Sequence, residues 1–323
     1  MARPVLSAGS RAVIAASVAP ATDRTYSKAV SEFLTYCDDL SISTTSPDDF
    51  DIFLTEYLNH IWESGKGKGK AKNTVYGIEY LMPHLKSRLL MAHRFLRGLY
   101  RLSPPQPWPP LTWDLTCAIS IRVMLNGSFR AGVACLLAFH CFLRVGELVA
   151  VRPVDVIDSS SSTRRVGVHS PHMVLILPRT KTGHNQEVSV LDPFLASLVR
   201  QLVRSTPPTG RLFGCASKPA FRHRFKQACA DLSLSESFVP HSLRHGGATE
   251  AYLLGRPIED IQLRGRWKST MSARHYIQQS RSLLASQHIP LSTRLLSSAI
   301  AKRLPVFISL SQSHIARYGQ HSL

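Results

Sequence analysis

Apolar positions along the first third of the chain repeat with a helical period. Tyr26, Val30, Phe33 and Leu34 share one side of a 3.6-residue repeat, with Thr22 or Asp23 placed to cap its start. Similar patterns predict helices over 48–62, 74–82 and 85–102. Between the second and third runs Gly65-Lys66-Gly67-Lys68-Gly69-Lys70. Alternating glycines suit a flexible loop rather than a helix, as a solvated linker or a phosphate-touching segment. The proline-rich run from Ser103 to Pro110 is one no helix can cross, so a domain linker is expected there. Beyond it, 113–125 and 129–143 read as helices, the second apolar nearly all round as a core helix would be. Short β-rich runs at 165–168, 173–177 and 187–190, separated by turn residues, predict a small antiparallel meander. Helical patterns return at 192–204, 218–232, 242–254 and 258–264. Past Arg281 only Leu295–Leu304 is amphipathic. The expected fold class is therefore mainly α with a small antiparallel β-sheet (α+β). The expected segments are a loose basic arm (1–21), a helical domain (22–102), a linker (103–111), a second domain (112–285) and a basic tail (286–323). The arm, with Arg3 and Arg11 among Ala and Ser and no acid, also fits a targeting peptide.

Charge adds the first functional clue. Thirty-nine Lys and Arg face 21 Asp and Glu, a net charge of +18. From Ile261 to the end there is no acid and there are nine basic residues, half of that excess. Such an imbalance calls for a polyanion, with nucleic acid ahead of an anionic membrane surface. No run of 18 apolar residues exists, so no membrane span is expected. Six scattered cysteines without a C-x-x-C pair read as buried thiols. His169 and His172 have no Cys or carboxylate beside them, so no metal site is expected there.

Four short motifs carry chemistry. Pro240-His241-Ser242-Leu243-Arg244-His245-Gly246-Gly247-Ala248-Thr249 opens a helix, which puts His241 and Arg244 on one face at its N-terminal end. Free N–H groups, the positive dipole end, an imidazole and a guanidinium together suit a phosphate. Gly246 and Gly247 make sense if another backbone packs closely there. Arg144-Val145-Gly146-Glu147-Leu148 is expected to end the core helix. Arg144 is either paired with Glu147 or an ordinary arginine favoured by a helix C-terminus. Lys181 sits in a turn, Pro178-Arg179-Thr180-Lys181-Thr182-Gly183-His184, where it is a mobile general acid or a solvated turn lysine. Gly265-Arg266-Trp267-Lys268-Ser269 precedes Ala273-Arg274-His275-Tyr276-Ile277. Trp267 and Tyr276 would each pass alone for core aromatics.

In order and spacing, Arg144, Lys181, His241, Arg244, Trp267 and Tyr276 resemble the catalytic signature of the tyrosine recombinases, the phage integrase family. The resemblance covers roughly residues 20–285. It is specific in the catalytic motifs and only architectural before the linker. It implies a helical core DNA-binding domain followed by a tyrosine recombinase catalytic domain. It implies attack by Tyr276 on DNA to give a 3′-phosphotyrosyl intermediate, leading to site-specific recombination or integration for a mobile element or virus. Arg144 and Arg244 would clamp the transition state, with donors from His241 and Trp267, and Lys181 would protonate the leaving oxygen. Glu147 would support them by orienting Arg144 or His241. The implied partners are double-stranded DNA and three further copies of the chain, forming a tetramer on two DNA sites, with no cofactor and no membrane. The implied location is intracellular, wherever the DNA is, which is the nucleus in a eukaryote. Trp267 stands where many members have His; both can donate an N–H. A type IB topoisomerase resembles the same residue set, and a DNA-binding module without catalysis is the reading from another class.

Overall fold

The structure is a computed structural model that describes residues 8–42, 46–104, 108–158, 173–180 and 183–318. The chain divides into two compact units, Met1–Gln106 and Pro107–Leu323.

The first unit is helical: α1 (Ala8–Ala15), α2 (Pro20–Asp39), α3 (Pro47–Glu63), α4 (Lys68–Leu81) and α5 (Leu90–Leu102). Part of the expected loose arm is thus helix α1 and the start of α2. Proline at the first position opens α2 and α3, and the Ser46 hydroxyl accepts from the Asp49 amide at 3.1 Å. Val30, Phe33, Leu54, Leu58, Val75, Ile78 and Leu96 form its core. Leu34, expected on the buried face of α2, is exposed. The Gly–Lys run corrects an expectation. Only Gly65 and Gly67 take positive φ, and α4 already begins at Lys68. Lys68 bonds to Ser103 and Lys70 pairs with Glu32, so tertiary anchors outweigh the helix cost of Gly69. The expected helix 85–102 is interrupted, because a 3₁₀ turn at Pro83–Leu85 precedes α5. Buried Asp51 caps α5, accepting from the amides of Met91 (2.7 Å) and Ala92 (3.0 Å).

The second unit is built around α6 (Trp113–Leu125) and α7 (Phe129–His140), both buried on nearly every side. Around them pack a one-turn helix α8 (Val145–Leu148), α9 (Pro193–Arg204), α10 (Lys218–Asp231) and α11 (Pro240–Leu253). Strands β1 (Val156–Asp158), β2 (Met173–Arg179) and β3 (His184–Val190) form one antiparallel sheet in that order. Met173 pairs with Val190 and Leu175 with Val188, and this alternate set faces the core. The second and third expected strands are present and longer than the pattern suggested. The expected strand at 165–168 lies outside the described residues, and the observed first strand, only three residues long, left no periodic signal.

The tail differs most from expectation. After α12 (Ile258–Gly265), α13 (Thr270–Arg274) and α14 (Gln279–Gln287) come α15 (Leu291–Lys302) and α16 (Leu304–Tyr318), which pack on α6. They bury Ile300, Leu304 and Ile308 in the main core, so this segment is part of the second unit rather than a separate tail. Much of their buried face is hydroxyl: Thr293, Ser297 and Ser311. Thr293 donates to the Leu232 carbonyl at 3.0 Å, and the Ser297 and Ser311 hydroxyls return to carbonyls of their own helices. Leu295 and Leu296, within the segment expected to be amphipathic, are exposed. A hydropathy pattern cannot find a face built this way. Among the described residues no helix is long and apolar enough to cross a membrane.

Candidate active site

The site lies where the N-terminal end of α11 meets the turn after α7. Pro240 opens α11, and the buried Ser242 hydroxyl accepts from the Val239 amide at 3.2 Å. Leu111, at the end of the proline-rich run, donates its amide to the Ser242 carbonyl at 3.2 Å. The two glycines behave as the sequence suggested. A Cβ on Gly246 would stand 2.1 Å from the Leu111 carbonyl oxygen, and one on Gly247 would stand 2.1 Å from that of Phe139. The backbone of α11 therefore lies directly against α7 and the strand of chain before α6.

Close approach brings the basic residues together. Phe142 adopts a positive φ of 49°, which turns the chain after α7. Arg144 does not end the core helix; it is the N-cap residue of α8. A helix start repels a cation, so the dipole explanation fails and the local carboxylate takes over. Glu147, 3% exposed, accepts from the Arg144 amide at 2.9 Å and from its Nη1 at 2.7 Å. Arg244 is fully buried and donates to the carbonyls of Phe142 and Gly265, the latter at 2.6 Å. Burial, with Arg144 and Arg266 nearby, lowers its pKa to about 9, so it remains a cation at neutral pH.

Above Arg244 lie two rings, Trp267 at 4.5 Å and Tyr276 at 5.2 Å from its guanidinium carbon. Tyr276 occupies the turn after α13 and is half-buried. Its ring is stacked on His245 (4.5 Å between centroids), tilted against Trp267 (4.6 Å) and edge-on to His241 (5.4 Å). The structure thus brings together Arg144, Glu147, His241, Arg244, Trp267 and Tyr276. Lys181 lies outside the described residues. On either side of it the Thr180 amide donates to the Gly183 carbonyl at 2.9 Å.

Three residues of the site carried no assignment from sequence. Arg266 donates from Nη2 to Glu147 Oε2 at 2.8 Å, so Glu147 holds Arg144 and Arg266. Thr249 donates to the Tyr276 carbonyl and accepts from the Gln278 amide, both at 3.1 Å, which ties the tyrosine turn to α11. Trp108, 44% exposed, sets its ring edge-on to His241 at 5.4 Å. Thr249 and Arg266 stand inside the recognised motifs, but their partners are remote in sequence. Trp108 sits in a segment that reads only as linker.

Three guanidinium groups around one carboxylate leave two positive charges unbalanced. Burial and the surrounding charges make this costly unless an anion completes the site. Among the described residues, Arg244 Nε, Arg266 Nε and Trp267 Nε1 are buried donors with no hydrogen-bond partner.

Two histidines, buried His245 and half-buried His140, make the unit sensitive to acid. Burial lowers the pKa of His245 to about 4 against an opposing bond to the Tyr276 backbone, and burial with the Arg264 charge takes His140 to about 4. An unfolded histidine takes its proton near 6.5. Between those values the unfolded chain binds more protons than the folded one. Their contribution to stability is therefore complete above about pH 6.5 and declines as the pH falls toward 4. Thermal unfolding at pH 7, 6 and 5 should give a falling midpoint; an unchanged midpoint across that range would contradict the assignment.

Residues 122–282 match the phage integrase family, and the chain belongs to that family. The protein y4qK of Sinorhizobium fredii (strain NBRC 101917 / NGR234), named as an integrase/recombinase, is 32% identical over 142 residues. The match covers 42% of this chain and 42% of that protein, so the chain matches less than half of the relative's length. Among solved structures, the Tn1549 transposon integrase in complex with transposon right end DNA is similar in fold. Its TM-score is 0.53 at 13% identity, over 88% of this chain and 99% of that one. The same integrase in complex with circular intermediate DNA gives a TM-score of 0.53 at 12% identity, over 83% and 99%. These likenesses establish a tyrosine recombinase fold, mainly helical with one small antiparallel sheet.

Proposed function

We propose that this protein cuts and rejoins double-stranded DNA through a 3′-phosphotyrosyl bond to Tyr276, giving site-specific recombination or integration. The observation that carries the reading is the Arg244 guanidinium, 5.2 Å from the centre of the Tyr276 ring, in a cluster of net positive charge where, among the described residues, buried donors on Arg244 and Trp267 lack a partner. A scissile phosphate supplies the missing anion. The Tyr276 hydroxyl gives up its proton to solvent as its oxygen attacks phosphorus in line, the bond to the 5′-oxygen breaks, and a phosphotyrosyl ester and a free 5′-hydroxyl result. Arg144 and Arg244 stabilise the added negative charge of the pentacoordinate transition state, with further donors from His241 and Trp267. Lys181 gives the leaving 5′-oxygen its proton. Attack by the 5′-hydroxyl of another strand reverses the chemistry and exchanges partners, in a tetramer on two DNA sites.

The test is covalent trapping on a nicked suicide duplex library. A denaturation-resistant adduct with wild type is expected, and sequencing the captured DNA reads out the site preference. Intact DNA binding without any adduct would leave a DNA-binding module without catalysis. Supercoil relaxation without strand exchange would leave a topoisomerase. The Lys181 assignment has its own test. Lys181→Ala should slow cleavage by about 10²–10⁴-fold, the usual scale of a general acid. A duplex with sulfur at the 5′-bridging position, whose leaving group needs no proton, should restore the rate. Equal slowing on both duplexes would remove Lys181 from that role.

A further inference from the structure

We infer that Arg266 is a positioning residue that acts through Glu147, occupying half of its carboxylate so that Arg144 keeps charge and donors available for the scissile phosphate. The inference rests on the DNA-cleaving reading above and adds to it a residue that makes no contact with the phosphate.

Two observations carry it. The first is the backbone. Arg266 caps α12 in the left-handed region, at φ 55° and ψ 41°. Helices commonly end in this conformation on glycine, because any Cβ is strained there. The preceding Gly265 cannot change places with it, since a Cβ on Gly265 would fall 1.8 Å from the Trp267 ring. An arginine at such a position is explained by its side chain, not its backbone. The second observation is where that side chain goes. It is 6% exposed, and its Nη2 turns to the protein interior, meeting Glu147 Oε2 at 2.8 Å. Its other bonds, to the carbonyls of Arg264 (3.1 Å) and Phe142 (3.4 Å), hold the guanidinium in place.

Glu147 bonded to Arg144 alone would form a neutral pair and draw Arg144 off the phosphate. With Arg266 on the other oxygen, the trio carries one net positive charge. Arg244 supplies a second, which matches the two negative charges of a pentacoordinate phosphorane. Arg266 also helps hold Glu147 ionised. Burial favours the neutral acid, but the Arg266 charge and the bonds from Arg144 outweigh it and keep the carboxyl below its usual pKa.

The deciding experiment compares Arg266→Gly, Arg266→Lys and wild type in single-turnover adduct formation, with DNA affinity measured beside it. Glycine suits the left-handed backbone, so Arg266→Gly keeps the fold. It should cleave about 10- to 100-fold more slowly, the scale of losing a support behind a first contact. DNA affinity should stay within about twofold, because phosphate contacts along the duplex dominate it. Arg266→Lys should recover most of the rate by restoring the charge. In a Glu147→Gln background, Arg266→Gly should add little further loss, because its route of action is gone. Wild-type rates in Arg266→Gly, or a full multiplicative loss in the Glu147→Gln background, would overturn the inference. Titration with inorganic phosphate, followed by ³¹P line broadening, separates this from the parent reading. If wild type forms no adduct, the cleavage reading fails, and phosphate affinity still decides. Weaker binding in Arg266→Gly, restored in Arg266→Lys, supports the role; equal binding in all three overturns it.

Discussion

On the proposed chemistry, Tyr276→Phe is expected to abolish covalent capture of DNA, by about 10⁴-fold or more, and to leave DNA affinity within about twofold. The change removes one oxygen and nothing else. The stacking on His245 and Trp267 and the position over Arg244 belong to the ring, which phenylalanine retains. The turn that carries residue 276 is held through backbone atoms, by Thr249 on its carbonyl and on the Gln278 amide. Folding and DNA docking should therefore persist while the proposed nucleophile is gone. Denaturing gels with end-labelled suicide duplex check the result, with anisotropy for affinity. Any adduct retained by Tyr276→Phe would move the nucleophile elsewhere.

Gly247→Ala is expected to cause the largest loss of stability. Its new methyl would lie 2.1 Å from the Phe139 carbonyl oxygen and 2.7 and 2.8 Å from the Phe142 ring. The obstacle is the backbone of a core helix, not the end of a flexible side chain, so α11 must back away from α7. Overpacking of this kind costs about 3–5 kcal/mol, at the upper end of single substitutions. A domain of this size is stable by only about 5–15 kcal/mol. The unfolding midpoint of the catalytic unit should fall by about 10 °C. Cleavage should suffer as well, because α11 carries His241 and Arg244 while the turn after α7 carries Arg144; shifts of a few tenths of an ångström matter to in-line attack. Gly98→Ala is the control. Its Cβ meets nothing within 4 Å inside α5, and the substitution should be neutral or slightly stabilising. Similar midpoints for Gly247→Ala and wild type would refute the close-approach argument.

The glycine prediction concerns a motif whose meaning was largely readable before folding. A pair of glycines inside a helical pattern costs stability, so it announces a close backbone neighbour, and the neighbours are Leu111 and Phe139. Helix α6 runs from Trp113 to Leu125 as its pattern indicates, because Thr112 caps it locally and its apolar residues are continuous. Local signals failed where a partner far along the chain supplied the stabilisation. Lys68–Lys70 is helical through Ser103 and Glu32, and the buried faces of α15 and α16 hide hydroxyls that hydropathy counts as solvent-seeking.

The same division holds in the site. Sequence alone determined the chemical identities of Arg144, Glu147, His241, Arg244, Trp267 and Tyr276, and placed the helix start that bears His241 and Arg244. Those depend on residue type and on spacings of a few positions. Tertiary structure alone decided who holds whom. Arg244 binds carbonyls 102 and 21 residues away, and Arg266 meets Glu147 across 119 residues. Such pairings leave no trace in local periodicity, because a buried charge takes its partner from whatever the packing of distant helices brings within about 3 Å.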